Sequence, residues 1–163
     1  MDLLLDINVA VDICAKRPAY YQDADLALAK CRQEGGRLWL YAGSVQTLEY
    51  VTRDALKHTF KAAGQPITAR QLHYHTRQVL KTFAEDKQWL AALAAEGAVF
   101  DSADPEDAQL FRALDRFAPG TIKLLTRDER LLTEHPDKPI KPDAYCRLGQ
   151  PDQKIDFIDL KTQ

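Results

Sequence analysis

Short apolar runs alternate with amphipathic segments along most of this chain. The runs Leu3–Ile7, Arg37–Tyr41 and Ile122–Leu125 have the length and composition of buried strands. Between them, apolar residues recur at helical spacing in Tyr21–Gln33 and again after Ser44. Such alternation is typical of a parallel sheet with right-handed helical crossovers. We therefore predict an α/β fold, a three-layer α/β/α domain with a parallel sheet of four or five strands.

Residues with short polar side chains mark the predicted helix starts. Asn8 precedes a helix predicted over Val9–Ala15, and Ser44 precedes the next amphipathic segment. Thr68 precedes a helix predicted to end at Phe83. Asp104 is followed by proline and two acids, which is a strong helix-start pattern.

Other segments are less regular. Gly64 and Pro66 predict a break within residues 58–69, and a helix rich in alanine and leucine is predicted over residues 86–96. A short strand or extended link is expected over residues 98–100. Four of the eight prolines lie after Leu132, so this part is expected to be mostly extended. We assign residues 1–145 to one domain and residues 146–163 to a C-terminal tail.

Composition and charge exclude several classes of protein. The chain has 163 residues, 45% of them apolar and 28% charged, as expected for one globular domain. The net charge of -2 argues against a globally basic nucleic-acid binder, so any such role requires a local patch. Three widely spaced cysteines without a Cys-x-x-Cys pair predict neither a disulfide framework nor a zinc site. The chain shows neither a signal-peptide pattern nor an apolar stretch of membrane-spanning length, which predicts a cytoplasmic protein without a membrane partner.

Four acidic residues fall where the predicted strands end or the following helices begin. They are Asp6, Glu49, Asp107 and Asp128. The carboxyl ends of parallel strands share one sheet edge, where open α/β folds place their sites. Carboxylates gathered there repel one another unless some are protonated or a hard cation neutralises them. Oxygen ligands favour Mg²⁺ or Mn²⁺, and such an ion supports phosphodiester hydrolysis.

The alternative interpretation is that these acids are ordinary helix-start residues, because the helix dipole favours negative charge at that position. The chain has 24 acidic residues, so several are expected at helix starts in any case. Asp6 is the most difficult to explain in this way, because it follows three leucines of a predicted buried strand.

Four motifs in sequence order carry a resemblance to a known family. LLLDINVAVDI, SVQTLEYV, DPEDAQLF and KLLTRD together resemble the PIN-domain ribonucleases, which include the toxins of bacterial VapBC toxin–antitoxin pairs. The resemblance extends over about residues 2–145 and includes IKPDAY. The region between Glu49 and Asp107 is longer than a compact family member needs, and the tail has no clear counterpart.

The resemblance implies a PIN-like fold and a metal-dependent endoribonuclease, and its VapBC members imply a role as a toxin component. It implies that Asp6, Glu49, Asp107 and Asp128 form the catalytic and metal-binding set for Mg²⁺ or Mn²⁺. Asn8, Asp104 and Thr126 match supporting positions. Asp12 also matches a frequent acid, although a solvated helix residue is an equally good interpretation. The family further implies a homodimer and an antitoxin protein as partner.

A basic segment follows Glu49 along the chain. Residues 53–81 contain six Lys or Arg residues and one acid, with histidine and aromatic residues interleaved. Such a segment can contact RNA phosphates while its aromatic rings stack on unpaired bases. An exposed basic face without a ligand is the alternative. The candidate RNA-binding residues are Arg53, Lys57, Lys61, Arg70 and Arg77.

Four other functions are alternatives to a ribonuclease. Asp6-x-Asn8 superficially resembles the nucleophile motif of haloacid-dehalogenase phosphatases, but Asn8 replaces their general acid. A phosphoreceiver domain requires an acidic pair that is absent here. A catalytically silent PIN-fold interaction module and a DNA-directed nuclease of the same fold stay as alternatives.

Overall fold

The computed structural model describes residues 1–91 and 102–149, which include a five-stranded parallel sheet. The strands are β1 (Asp2–Leu5), β2 (Leu38–Tyr41), β3 (Gln88–Leu90), β4 (Ile122–Leu125) and β5 (Pro139–Ile140). Their order across the sheet is β3-β2-β1-β4-β5, and each neighbouring pair is parallel. The predicted α/β class and parallel sheet are confirmed.

Helices cover both faces of this sheet. They are α1 (Ile7–Cys14), α2 (Tyr21–Gln33), α3 (Val45–Ala62), α4 (Ala69–Ala84), α5 (Pro105–Leu114), α6 (Glu129–Glu134) and α7 (Pro142–Arg147). Side chains alternate along β1, so Leu3 and Leu5 pack on the face covered by α1 to α4 and α7. Leu4 packs on the opposite face, with residues of α5 and α6. This gives the predicted three-layer α/β/α arrangement.

Three predicted helix starts are confirmed and one is corrected. Asp104 accepts hydrogen bonds from the first N–H groups of α5, and Thr68 forms a reciprocal capping box at the start of α4. Asp6, rather than Asn8, caps α1, because the helix begins two residues earlier than predicted. Ser44 directly precedes α3, as predicted, but its side chain makes no capping bond; its hydroxyl donates to Glu106.

The prediction of a helix over residues 86–96 is wrong for its first residues. Gln88, Trp89 and Leu90 form strand β3, which pairs with Trp39, Leu40 and Tyr41 of β2. Pairing with β2 fixes these residues in an extended conformation despite the helical pattern of the sequence. Residues 92–101 lie outside the described part of the chain, and so does the strand predicted over residues 98–100.

Two predicted irregular segments contain regular structure. Helix α3 continues through Ala62 and α4 begins at Ala69, so the break predicted within residues 58–69 is confined to residues 63–68. After Leu132 the chain forms β5 and α7 instead of a mostly extended segment. Helix α7 extends to Arg147, and the tail beyond residue 149 lies outside the described residues. In the described ranges 1–91 and 102–149, no helix has both the length and the apolar character needed to span a bilayer.

The strand order reverses at the centre of the sheet, and this fixes where a site can form. The chain proceeds outward from β1 to β2 and β3, and later returns to add β4 and β5 on the other side. In the β1–β4 register, Leu5 lies opposite Leu125. Asp6 and Thr126 therefore follow paired strand ends at the crevice where open α/β sheets bind ligands.

Candidate functional site

Asp6 lies at the β1–β4 crevice and accepts hydrogen bonds from three groups. Its Oδ1 accepts from the N–H of Ile7 at 2.6 Å, and its Oδ2 accepts from the Asn8 side-chain amide at 2.6 Å. The hydroxyl of Thr126 also donates to Oδ2. The carboxylate is therefore fixed by the start of α1 and by the residue that follows β4.

Thr126 and Asn8 connect Asp6 with the loop that follows β4. Thr126 is fully buried, and its Oγ1 accepts hydrogen bonds from the N–H of Asp128 at 3.0 Å and from the Asn8 amide at 3.3 Å. The Asn8 Oδ1 in turn accepts from the N–H of Arg127 at 3.2 Å. Two of the three supporting residues named from the sequence, Asn8 and Thr126, thus connect Asp6 to Asp128 through a continuous hydrogen-bond network.

Asp107 reaches the same crevice from the first turn of α5. It lines a cleft of about 170 Å³ together with Asp6, and the side chains of Asp104 and Glu106 line this cleft as well. Arg130 on α6 forms an ion pair with Asp107, and its Nη2 lies 3.8 Å from the Asp104 carboxylate. One guanidinium therefore neutralises part of the charge on this side of the cleft.

Asp128 caps α6 beside this cleft. Its Oδ1 accepts hydrogen bonds from the N–H groups of Arg130 at 2.8 Å and Leu131 at 3.4 Å. Its charge acts on both Asp6 and Asp107, raising the pKa of each carboxyl. Three of the four acids in the predicted catalytic set are therefore electrostatic neighbours.

Glu49 occupies a different position. Its carboxylate lies 3.4 Å from Nε of Arg77 and 3.7 Å from Nδ1 of His73, both on α4. It lines a groove between α3 and α4 and does not line the cleft of Asp6 and Asp107. Glu49 and the candidate RNA contact Arg77 are thus partners in one ion pair.

Burial and mutual repulsion perturb the acids of the cleft. Burial raises the pKa of Asp6 from 3.8 to about 6; the Thr126 and Ile7 hydrogen bonds oppose this rise, and the Asp107 and Asp128 charges add to it. Burial and the Asp104 charge raise the pKa of Asp107, against the opposing effect of Arg130. These carboxyls therefore hold protons more tightly than exposed ones.

Two contributors to the site, Glu106 and Arg130, were not identified from the sequence. Glu106 accepts hydrogen bonds from Ser44 Oγ at 2.6 Å and Thr47 Oγ1 at 3.1 Å, and so joins α5 to the start of α3. Glu106 could have been predicted as a site residue, because it lies beside Asp107 in the first turn of α5. Arg130 gave no signal, because its role depends on how α6 packs near α5.

Asp12 is neither solvated nor part of the cleft. Its side chain is 0% exposed, and Arg127 contacts both of its oxygens. The solvated interpretation of this residue is therefore wrong.

The side-chain donors of the cleft determine whether it could hold a metal ion. Within the ranges 1–91 and 102–149, no group of three or more His, Cys, Asp or Glu side chains is arranged to hold a metal ion. The carboxylates nevertheless match Mg²⁺ or Mn²⁺ in donor type, and the charges of Asp107 and Asp128 repel that of Asp6, a repulsion that a cation would relieve. The residues fit such an ion in chemistry, provided that Asp107 exchanges its ion pair with Arg130 for the ion.

The candidate RNA-binding residues spread over α3 and α4. Arg53 and Lys57 line a groove of about 530 Å³ with the exposed ring of Tyr50 and with His73. The Arg53 guanidinium lies 5.9 Å from the centroid of the Tyr50 ring. Lys61, Arg70 and Arg77 are exposed but do not line this groove.

Comparisons of the chain with family models, with curated proteins and with solved structures gave no match. The relationship to PIN-domain ribonucleases therefore stays a prediction, which depends on the four motifs and on the fold class they imply.

Proposed function

We propose that this protein is a metal-dependent endoribonuclease of the PIN type. One observation carries the proposal: a partly buried carboxylate, Asp6, directly follows the central strand at the crevice where the strand order reverses, and the charges of Asp107 and Asp128 act on it. A purely structural helix cap does not require other carboxylates close enough to raise its pKa. A cation site explains why the acids share this position.

Asp6 and Asp107 would be the principal ligands of Mg²⁺ or Mn²⁺, and Asp128 would bind the ion directly or through water. When bound, such an ion activates water and stabilises the charge that develops on a phosphate under attack. Thr126 and Asn8 keep the Asp6 carboxylate in one orientation. The hydrogen bonds described for Asp128 use its Oδ1, which leaves its Oδ2 as the oxygen for an ion or a water molecule.

The groove of Arg53, Lys57 and Tyr50 would guide RNA toward the cleft. Ser44 lines the cleft directly before α3, and Tyr50 lies six residues further along, about 9 Å at the helical rise per residue. RNA phosphates that bind Arg77 would compete with Glu49 for the guanidinium. Glu49 would then become available to the proposed site.

Arg53→Ala and Lys57→Ala are each expected to weaken RNA binding and to reduce the slope of log K against log salt concentration by about 1. The reason is that each side chain displaces about one counterion from the RNA. Fluorescence anisotropy with a labelled single-stranded RNA over a salt series measures both effects. Lys138→Ala, on the α6–β5 side, is the matched control and should leave the slope unchanged.

Arg130→Gln is expected to strengthen Mn²⁺ binding about 3- to 10-fold, because it removes the cation that pairs with Asp107. Protein stability should change by less than about 1 kcal/mol, since the Arg130 side chain is 44% exposed and water screens its charge. Thermal unfolding over a Mn²⁺ series gives both quantities. Weaker Mn²⁺ binding in the variant would mean that Arg130 supports the site instead of competing with the ion.

A catalytically silent PIN-fold module is the second candidate function. It is favoured by the Arg130–Asp107 ion pair and by the lack of a ready-made metal group among the described residues. A DNA-directed nuclease of the same fold differs only in substrate. A toxin role, an antitoxin partner, a homodimer and a cytoplasmic location are proposals that follow from the family resemblance.

Metal binding separates the nuclease from the silent module. A ligand that binds only the native state stabilises it by about 2.7 kcal/mol at 100 times its Kd. Mn²⁺ should therefore raise the Tm of the wild type and of Asp115→Asn, an acid on a different surface, but not of Asp6→Asn or Asp107→Asn. An equal rise in all four proteins would indicate non-specific binding and favour the silent module.

A further inference from the structure

Asp12 and Arg127 form a buried ion pair next to the candidate site. The Asp12 side chain is 0% exposed, whereas that of Arg127 is 26% exposed. Arg127 donates from Nε to Oδ2 at 2.5 Å and from Nη2 to Oδ1 at 3.0 Å. Both carboxylate oxygens are therefore bound by one planar guanidinium, which fixes distance and orientation together.

The arginine of this pair lies between two residues of the candidate site. Thr126 precedes it and donates to Asp6, and Asp128 follows it beside the cleft. The backbone N–H of Arg127 also donates to Asn8 Oδ1. Any displacement of Arg127 must therefore move the residues on both sides of it.

Tyr20 holds the guanidinium from a third direction. Its ring centroid lies 3.7 Å from the Arg127 Cζ, in the range of a cation–π contact. The arginine is thus fixed by Asp12 on α1, by Tyr20 directly before α2 and by its own backbone bond to Asn8. No other arginine or lysine in the described residues makes a two-oxygen contact with a fully buried carboxylate.

We propose that Asp12 is a positioning residue, which acts through Arg127 to hold the segment 126–128 against Asp6. The inference rests on the proposed function for its effect on catalysis, while its effect on the segment is independent of that function. A buried ion pair contributes little net stability compared with well-packed apolar side chains, but its fork geometry fixes one arrangement. The pair connects α1 with the loop after β4 across 115 residues of sequence.

Two variants remove the Asp12–Arg127 ion pair in different ways. Asp12→Asn keeps the shape of the side chain but loses its charge. The double variant Asp12→Leu plus Arg127→Met replaces the pair by apolar side chains of similar size, so it keeps the fold if the single variant is unstable. Arg17→Met is the matched control, because Arg17 also contacts Asp12, at 3.4 Å, but lies outside segment 126–128.

The first measurement is amide hydrogen exchange of the metal-free protein. We expect exchange of the Arg127 and Asp128 amides to become at least about 10-fold faster in both variants, while amides in the middle of α3 keep their wild-type rates. Arg17→Met should match the wild type. Wild-type exchange at residues 127 and 128 in the double variant would overturn the proposal, and uniformly faster exchange would overturn it in favour of a general role in stability.

The second measurement is RNA cleavage with Mn²⁺. Both variants should lose about 10- to 100-fold in kcat with little change in KM, as expected when a residue that orients site groups is removed. Arg127→Lys should retain an intermediate kcat, because it keeps one charged contact. A wild type that does not cleave RNA would contradict the proposed function, and the exchange result would then decide the positioning role alone. If the variants keep the wild-type kcat although the amides of residues 127 and 128 exchange faster, the catalytic part of the inference is overturned.

Discussion

In metal-free buffer, Asp6→Asn is expected to become more stable relative to the wild type as the pH rises. The pKa of Asp6 is about 6 in the folded protein and 3.8 in an ordinary carboxyl, so the native state holds this proton more tightly than the unfolded chain does. The contribution of Asp6 to wild-type stability therefore falls between about pH 4 and pH 6. The gap between the two pKa values corresponds to about 3 kcal/mol, and the asparagine side chain of the variant has no proton to lose.

Urea unfolding of both proteins at about pH 4 and about pH 7.5 measures this effect. The stability of Asp6→Asn minus that of the wild type should grow by about 2–3 kcal/mol between the two pH values. A constant cost of the lost hydrogen-bond acceptor does not alter this difference. Asp115→Asn, an exposed acid, should show a change within about 0.5 kcal/mol. A pH-independent difference for Asp6→Asn would mean that Asp6 is not held in a buried, negatively charged environment.

Arg127→Met is expected to destabilise the protein by about 3–5 kcal/mol, because it leaves the carboxylate of Asp12 buried without its main partner. Asp12→Leu should cost less, about 1–2 kcal/mol, since the remaining arginine is partly exposed and can reach water. The double variant should recover most of the loss, because no buried charge remains. Arg127→Met should cost more than Asp12→Leu because Asp12, the residue that it leaves unpaired, is the fully buried member of the pair.

Chemical unfolding of the three variants and the wild type completes a double-mutant cycle. We expect a large loss of unfolding free energy for Arg127→Met and a smaller loss for Asp12→Leu. The double variant should lose less than the sum of the two, and the difference is the coupling energy. Additive losses would contradict a direct interaction between the two side chains. Arg17→Met should cost less than about 1 kcal/mol, because the Arg17 side chain is 38% exposed and makes only a long contact.

The strands at the centre of the sheet could be predicted because their signals are local. Three consecutive leucines before Asp6 require burial on both faces, and the same holds for the apolar run before Thr126. Parallel pairing then places the residues after both strands at one crevice. For this reason the sequence predicted the position of Asp6, Thr126 and Asp128 well.

Strand β3 could not be predicted because its structure depends on a distant partner. The residues around Trp89 lie in a context rich in alanine and leucine, which favours a helix by propensity. Backbone pairing with β2, a strand far earlier in the chain, overrides that preference. The start of α1 was misplaced for a simpler reason, since Asp6 and Asn8 are both good helix caps and only the backbone bonds distinguish them.

The sequence also could not predict which side chains contact each other across the fold. Asp12 has the pattern of an exposed helix acid, and only the position of Arg127 explains its burial. Glu49 has the spacing of a site residue, but α4 places His73 and Arg77 beside it. In both cases an ion pair between residues far apart in the chain determines where the carboxylate points.

The most direct test of the central claim is cleavage of a mixed pool of structured RNA in the presence of Mn²⁺, over a range of protein concentrations. We predict that the wild type cuts this RNA only when metal is present, and that Asp6→Asn loses at least about 1000-fold in rate. A matched DNA pool in the same experiment distinguishes the two nuclease alternatives. Equal cleavage by both proteins would show a contaminating nuclease, and the absence of metal-dependent cleavage by the wild type would contradict the account.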